Sequence, residues 1–190
     1  MSSDGPSSRN LQDMEERLIY LEGVYQFVLD ALDMASSIVD FQTSINRLHD
    51  PSLILKAARD RIQRLIPFLA SAFFLVEESS SDFFLFDCEP ADEKRSLQGV
   101  VDEFIDDGSF GRALRVNKPL ALHSKESDEA TLLHVMTTES RVRGMFVGIP
   151  AQQLGVIPAI SLSLFSMVIR SGANALESFE LYKRIRESEG

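Results

Sequence analysis

The chain is predicted to be α+β: a central antiparallel sheet of about five or six strands, with long N- and C-terminal helices packed on one face. Three observations predict it. Leu11, Met14, Leu18, Leu21, Tyr25, Val28, Leu32, Ala35 and Val39 follow one another at strict three-four spacing, the stripe of a long helix. Short aromatic-rich runs come in pairs joined by polar turns, which is hairpin rather than βαβ organisation. The chain closes on a second long apolar helix beginning near Pro158.

The N-terminal stripe is an a/d seam sustained over about four heptads, the pattern of a helix that pairs with another helix. Leu11, Met14, Leu18, Leu21, Tyr25, Val28 and Leu32 are therefore the candidate dimer interface. From Val24 onward the stripe is widened by Phe27, Leu29, Met34 and Ile38, which favours burial among more than two helices. The expected assembly is a homodimer in which the seam helix and the terminal helix of each copy meet. Residues 1–10, MSSDGPSSRN, are expected to be a disordered leader without a secretory apolar region, and residues 11–48 the dimerising helix. A sheet domain is expected over 49–181, its last helix ending in a tail over 182–190.

Composition narrows the partners. The formal net charge is -10, which disfavours nucleic acid and anionic membrane surfaces. Cys88 is the one cysteine, so an internal disulfide is impossible and a reducing cytoplasm is the expected setting. No charge occurs from Gly144 to Ile169, long enough to suggest a membrane span. Pro150, Gln152, Gln153, Gly155 and Pro158 divide that stretch into strand, loop and helix start, so no span is expected.

Asp50 and Pro51 announce a second helix, as N-cap and first helical residue, and Pro67 ends it. SAFFLVEE and DFFLFDC follow as strands of a hairpin. Phe73–Val76 and Phe83–Phe86 are consecutive apolar runs, so both faces of these strands are covered. Helices should cover one face and loops or a ligand the other. A helix with Val100, Val101, Phe104 and Ile105 breaks at Asp107-Gly108-Ser109, where a short helix begins. LALH is a further strand, and TLLHVMTT with RVRGMFVGI forms a second hairpin turning at Glu139-Ser140.

A two-residue turn there pairs Thr138 with Arg141, sets Leu133 opposite Phe146 and Val135 opposite Gly144, and sets His134 opposite Met145. One face then carries Leu133, Val135, Val142, Gly144, Phe146 and Gly148, whose glycines suit close helix packing. The other carries Leu132, His134, Met136, Arg143, Met145 and Val147, apolar with two polar handles, which describes a ligand-pocket wall. With Phe84, Phe86, Phe104 and Phe110, the residues Leu132, His134, Met136, Arg143 and Met145 form the candidate ligand site. The plainer alternative is an ordinary second core. His134 on the helix-packed face would defeat the pocket assignment.

Three stretches carry a family resemblance: GSFGRALRVNKPLALHS, RVRGMFVGIP and SGANALESFELYKRIRE. In these and in element order the chain resembles the GAF domains, small sensory modules of signalling proteins, over about Asp50 to Leu181. The resemblance implies a small-molecule pocket on the sheet face away from the terminal helices, and an exit helix leading to an output kinase or other signalling domain. The Asn-Lys-x-x-x-Phe-x-x-x-Asp-Glu signature of cyclic-nucleotide-binding members is absent. Cys88 lacks the partner cysteines of methionine-sulfoxide-reducing members and sits in no bilin-attachment motif. The resemblance thus leaves the effector and any cofactor open, and no GxSxG, Walker A or HExxH motif points to catalysis. Asp102, Glu103, Asp106 and Asp107 read as a solvated helix face. The expectation is a non-catalytic regulatory module with an unnamed small-molecule effector, or a pure dimerisation module whose pocket its own phenylalanines close.

Overall fold

The computed structural model describes residues 6–125 and 127–190. Helix α1 runs over Pro6–Ile45, and the chain divides into two compact units between Ser37 and Ile38. Pro6–Asn10, expected in the leader, are helical, whereas residues 1–5 of that leader lie outside the described residues. The second unit begins at Ile38 rather than at residue 49, because Ile38, Phe41 and Ile45 are buried in it. Arg61 lies over the Phe41 ring, 5.3 Å from its centre.

Within the second unit, α2 (Pro51–Leu65) starts as expected, with the Asp50 carboxylate accepting from the Ser52 backbone N–H at 2.8 Å. Strands β1 (Phe68–Val76) and β2 (Phe83–Glu89) form the first hairpin. Helices α3 (Lys94–Asp106) and α4 (Ser109–Arg115) are separated by Gly108, whose φ of 81° is the left-handed conformation that glycine tolerates. Strands β3 (Leu120–His123), β4 (Ala130–Thr137) and β5 (Val142–Pro150) lead into α5 (Ala159–Ser188). The five strands form one antiparallel sheet in the order β2-β1-β5-β4-β3.

Helices close both faces of this sheet. On one side α5 and α2 cover a core of rings: Phe146 meets Phe73, Phe68 and Phe165 edge-on, with centroids 5.1 to 5.4 Å apart. On the other, α3 contributes Leu97, Val101 and Phe104 at helical spacing, and α4 contributes Phe110 and Ala113. These pack with Phe74, Leu133, Val135, Met145 and Val147 of the sheet. The uninterrupted apolar runs of β1 and β2 follow from this double cover.

The β4–β5 hairpin departs from the expected register at one residue. The turn itself forms, with the Thr138 N–H donating to the Arg141 carbonyl at 3.0 Å. Thr137 then pairs with Val142 but Met136 pairs with Gly144, so Arg143 is an extra residue, a β-bulge. Every pair beyond it is displaced: His134 opposes Phe146 rather than Met145, and Leu133 opposes Val147 rather than Phe146. Because side chains alternate, a one-residue slip moves the whole of β4 to the other face. Leu132, His134 and Met136 therefore face α5, not the far side, while Gly144, Phe146 and Gly148 keep the face expected of them.

The glycines of β5 serve a neighbour other than the one expected. A Cβ on Gly144 would run into the Phe74 carbonyl oxygen of β1 and lie 3.1 Å from a Leu75 methyl. A Cβ on Gly148 would meet the Phe68 ring at 2.6 Å. Close helix packing instead uses Gly172 of α5, which sits against Met136 and Ala58.

α5 is long and apolar enough to cross a membrane by composition. Its apolar residues Leu164, Phe165, Val168, Ile169, Ala173 and Leu176 are buried in the core.

Gly144→Ala is expected to destabilise the fold by about 2–4 kcal/mol in urea unfolding, since β1's backbone cannot yield. Gly111→Ala, in α4 with open space around it, should be neutral or stabilising by up to about 1 kcal/mol.

Candidate functional site

The nine ligand-site candidates do not converge. Phe104, Phe110 and Met145 lie in the core beneath α3 and α4, each at most 3% exposed. They fill the sheet face where the resemblance implied a pocket. Leu132, His134 and Met136 lie on the opposite face, and Phe84 and Phe86 pair with each other on the edge strand β2, ring centres 6.3 Å apart. Phe86 is itself an extra residue, since Phe74 pairs with Leu85 and Phe73 with Asp87. The bulge at Arg143 thus scatters the second-hairpin residues that strict alternation had gathered.

His134 is a satisfied core residue. Its Nδ1 lies 2.8 Å from the Val135 carbonyl oxygen, which can only accept, so Nδ1 carries the proton. Nε2 then accepts from the Ser166 hydroxyl of α5 at 2.8 Å. Burial holds the imidazole pKa down, at about 4. Below the same sheet face, Arg59 of α2 is buried over the Phe73 ring. It donates to the Ser71 hydroxyl at 3.1 Å and to the Asp87 carboxylate. These groups tie helices to strands and leave no reactive atom free.

Arg143 alone of the predicted polar residues reaches an open site. The bulge turns it toward α5, where Nη2 donates to Glu177 at 2.9 Å. Glu177 also accepts from Thr138 at 3.0 Å and from Ser140, so the turn of the second hairpin is hooked to α5 through one carboxylate. Glu78, in the loop of the first hairpin, accepts from Arg184 of α5 at 2.6 Å and from Arg141 at 3.3 Å. These hydroxyl and guanidinium donors hold Glu177 and Glu78 below the usual carboxylate range.

Beside this network opens a cleft of about 340 Å³. Its apolar wall is Leu75, Val76, Phe83, Leu114, Val142 and Leu176, and its polar rim includes Glu78, Arg141, Arg143 and Glu180. Of these the sequence reading placed only Arg143 among the nine candidate ligand residues. The available signal was the pair Glu177 and Glu180, three residues apart on a helix whose first five turns carry no acidic residue.

The remaining candidates are structural. Cys88 is buried with Sγ 3.4 Å from the Pro90 carbonyl, and burial pushes its thiol pKa up, away from a nucleophile's. Glu103 accepts from the Ser124 hydroxyl at 2.6 Å and the Lys125 N–H at 2.7 Å, fixing the loop after β3. Among the described residues no group of three metal-ligating side chains comes together.

Because His134 is neutral when folded and ordinary when unfolded, the unfolded chain binds the extra proton first. Its contribution is complete above pH ~6.5 and is lost as pH falls toward 4, on the order of 3 kcal/mol in all. Urea unfolding across this window should show His134→Gln losing less stability on acidification than the parent.

No protein-family profile and no curated relative matches the chain by sequence. Solved structures do match in shape. The GAF domain of a putative sensor histidine kinase from Pseudomonas syringae pv. tomato superposes with a TM-score of 0.63 at 11% identity, covering 87% of this chain and 99% of that one. The GAF domain of a phosphoenolpyruvate-protein phosphotransferase from Coxiella burnetii gives 0.56 at 13%, covering 83% and 98%. Free methionine-R-sulfoxide reductase from Neisseria meningitidis gives 0.53 at 9%, covering 80% and 93%. The sheet order, the helix layers and these likenesses agree: the chain has the GAF fold.

Proposed function

We propose that this chain is a non-catalytic regulatory module of the GAF fold, acting as a homodimer in the cytoplasm through its long helices. The observation that carries the reading is the state of α1. Leu11, Met14, Leu18, Leu21, Tyr25, Val28 and Leu32 are between 45% and 66% exposed in the protomer. Seven large apolar side chains at a/d spacing have no core within their own unit, and a second copy of the same helix offers the matching holes. Self-pairing buries the stripe in register, and the output is then a change in how paired helices sit, passed to a kinase or other signalling domain on the same or another chain.

The filled sheet face separates the two forms of this reading. Phe74, Phe104 and Phe110 occupy the volume beneath α3 and α4 at no more than 3% exposure. That supports a dimerisation module without a small-molecule pocket on that face. The high thiol pKa of buried Cys88 supports a non-catalytic role.

Sedimentation equilibrium should find a dimer, and Leu18→Glu with Tyr25→Glu should weaken it about a hundredfold or more, with unchanged circular dichroism. A parent protein that stays monomeric at every concentration overturns the reading. Phe104→Ala should cost about 3–5 kcal/mol in urea unfolding, as a core position does, where a pocket-lining ring would cost far less.

A further inference from the structure

The cleft between the two hairpins and α5 has an apolar body and two unmatched polar groups. One is Arg143, whose side chain is 9% exposed and lines the cleft. Its Nη2 is held by Glu177, but its Nε is the one buried side-chain nitrogen or oxygen among the described residues with no hydrogen-bond partner. A buried N–H left unfilled is costly, and such groups ask for an acceptor. The other is the carboxylate pair Glu78 and Glu180, which share a hydrogen bond: Glu78 is engaged by Arg184, Arg141 and, at 3.9 Å, Arg143, whereas Glu180 makes no ion pair of its own among the described residues. Burial and the neighbouring Glu78 raise its pKa against the weaker pull of Arg143 and Lys183.

We infer that this cleft is an effector site for a free α-amino acid with an apolar side chain, its carboxylate on Arg143 and its ammonium on Glu180. The apolar body would lie along Leu75, Phe83, Leu114 and Leu176. Each alternative leaves one group unmatched. An amine alone leaves Arg143 unfilled, a carboxylic acid alone meets the charge of Glu180, and a phosphate meets Glu77, Glu78 and Glu180 together. The volume of about 340 Å³ suits one small molecule.

Occupancy is coupled to α5 by a single side chain. Nε is sealed from solvent and Nη2 is held by Glu177, so a ligand carboxylate that reaches Nε would have to draw Arg143 toward the cleft and away from Glu177. Ligand and Glu177 compete for one guanidinium, a two-state element that both bias. The inference supplies an effector to the dimer proposed above, but binding is read separately, so a monomer that binds the ligand fails only the dimer.

Isothermal titration of the full chain with L-leucine and L-phenylalanine tests it, with 3-methylbutylamine and 4-methylpentanoic acid as singly charged comparators. Saturable binding of at least one amino acid is expected, with the comparators about tenfold or more weaker. Glu180→Gln and Arg143→Gln should each weaken it about ten- to a hundredfold, the loss of one charge-assisted contact. Glu177→Gln, which frees Arg143, should tighten it several-fold, an effect a merely greasy cleft would not show. Glu180 is half-buried on α5 outside the core, and its variant keeps the fold measurable even where Arg143→Gln does not. Absence of saturable binding by either amino acid, equal binding of the comparators, or indifference to Glu180→Gln overturns the proposal.

Discussion

The rest of the structure hangs on how β5 meets its two neighbours at Arg143 and Gly144. Gly144 has no side chain, so the Phe74 carbonyl of β1 can come close on one edge. On the other edge β4 skips Arg143 and resumes pairing at Gly144. That skip turns Arg143 toward Glu177 and sends His134 onto the Ser166 side of the sheet. Without it β4 would present its opposite face to each helix layer while β5 kept its own. A single unpaired residue thus sets which side chains build the ring core and which build the layer beneath α3.

Much of this was legible in the chain. The Asp50-Pro51 helix start, the Asp107-Gly108-Ser109 break, both hairpins and the α+β class follow from capping chemistry, glycine φ and apolar runs. These are local signals and they survive folding. What was not legible was the register beyond each bulge, because a bulge is chosen by contacts between strands distant in sequence. The Phe74 carbonyl that requires Gly144 is about seventy residues away along the chain, outside any periodic window. The candidate site failed for the same reason. Its second-hairpin members were assembled by extrapolating strict alternation through Arg143, the residue that breaks it.

The two faces of the sheet are closed by different chemistry. Beneath α3 and α4 a cluster of apolar side chains fills the layer. Beneath α2 and α5 the rings of Phe73, Phe146 and Phe165 are pinned by polar ties, Arg59 to Ser71 and Asp87 on one flank and His134 to Ser166 in the middle. Such ties give direction as well as energy, since each is satisfied in one arrangement only. The carboxylate network at the hairpin end continues this pattern onto the surface, where Glu78 and Glu177 join turns to helix. The apolar layer holds the sheet's shape, and the polar layer fixes how α5 lies on it.

The charge-free run from Gly144 to Ile169 forms the inner strand β5 and the buried first half of α5. β5 cannot be paired on its β1 side until a loop of about seventy residues has closed, and such non-local pairing is slow to form. Through that interval β5 has a partner on its β4 edge alone. An apolar strand of this kind is an aggregation hazard when molecules meet. The acidic surplus, a net charge of -10, does its most useful work then: mutual repulsion keeps unfinished chains apart until the central strand is sealed.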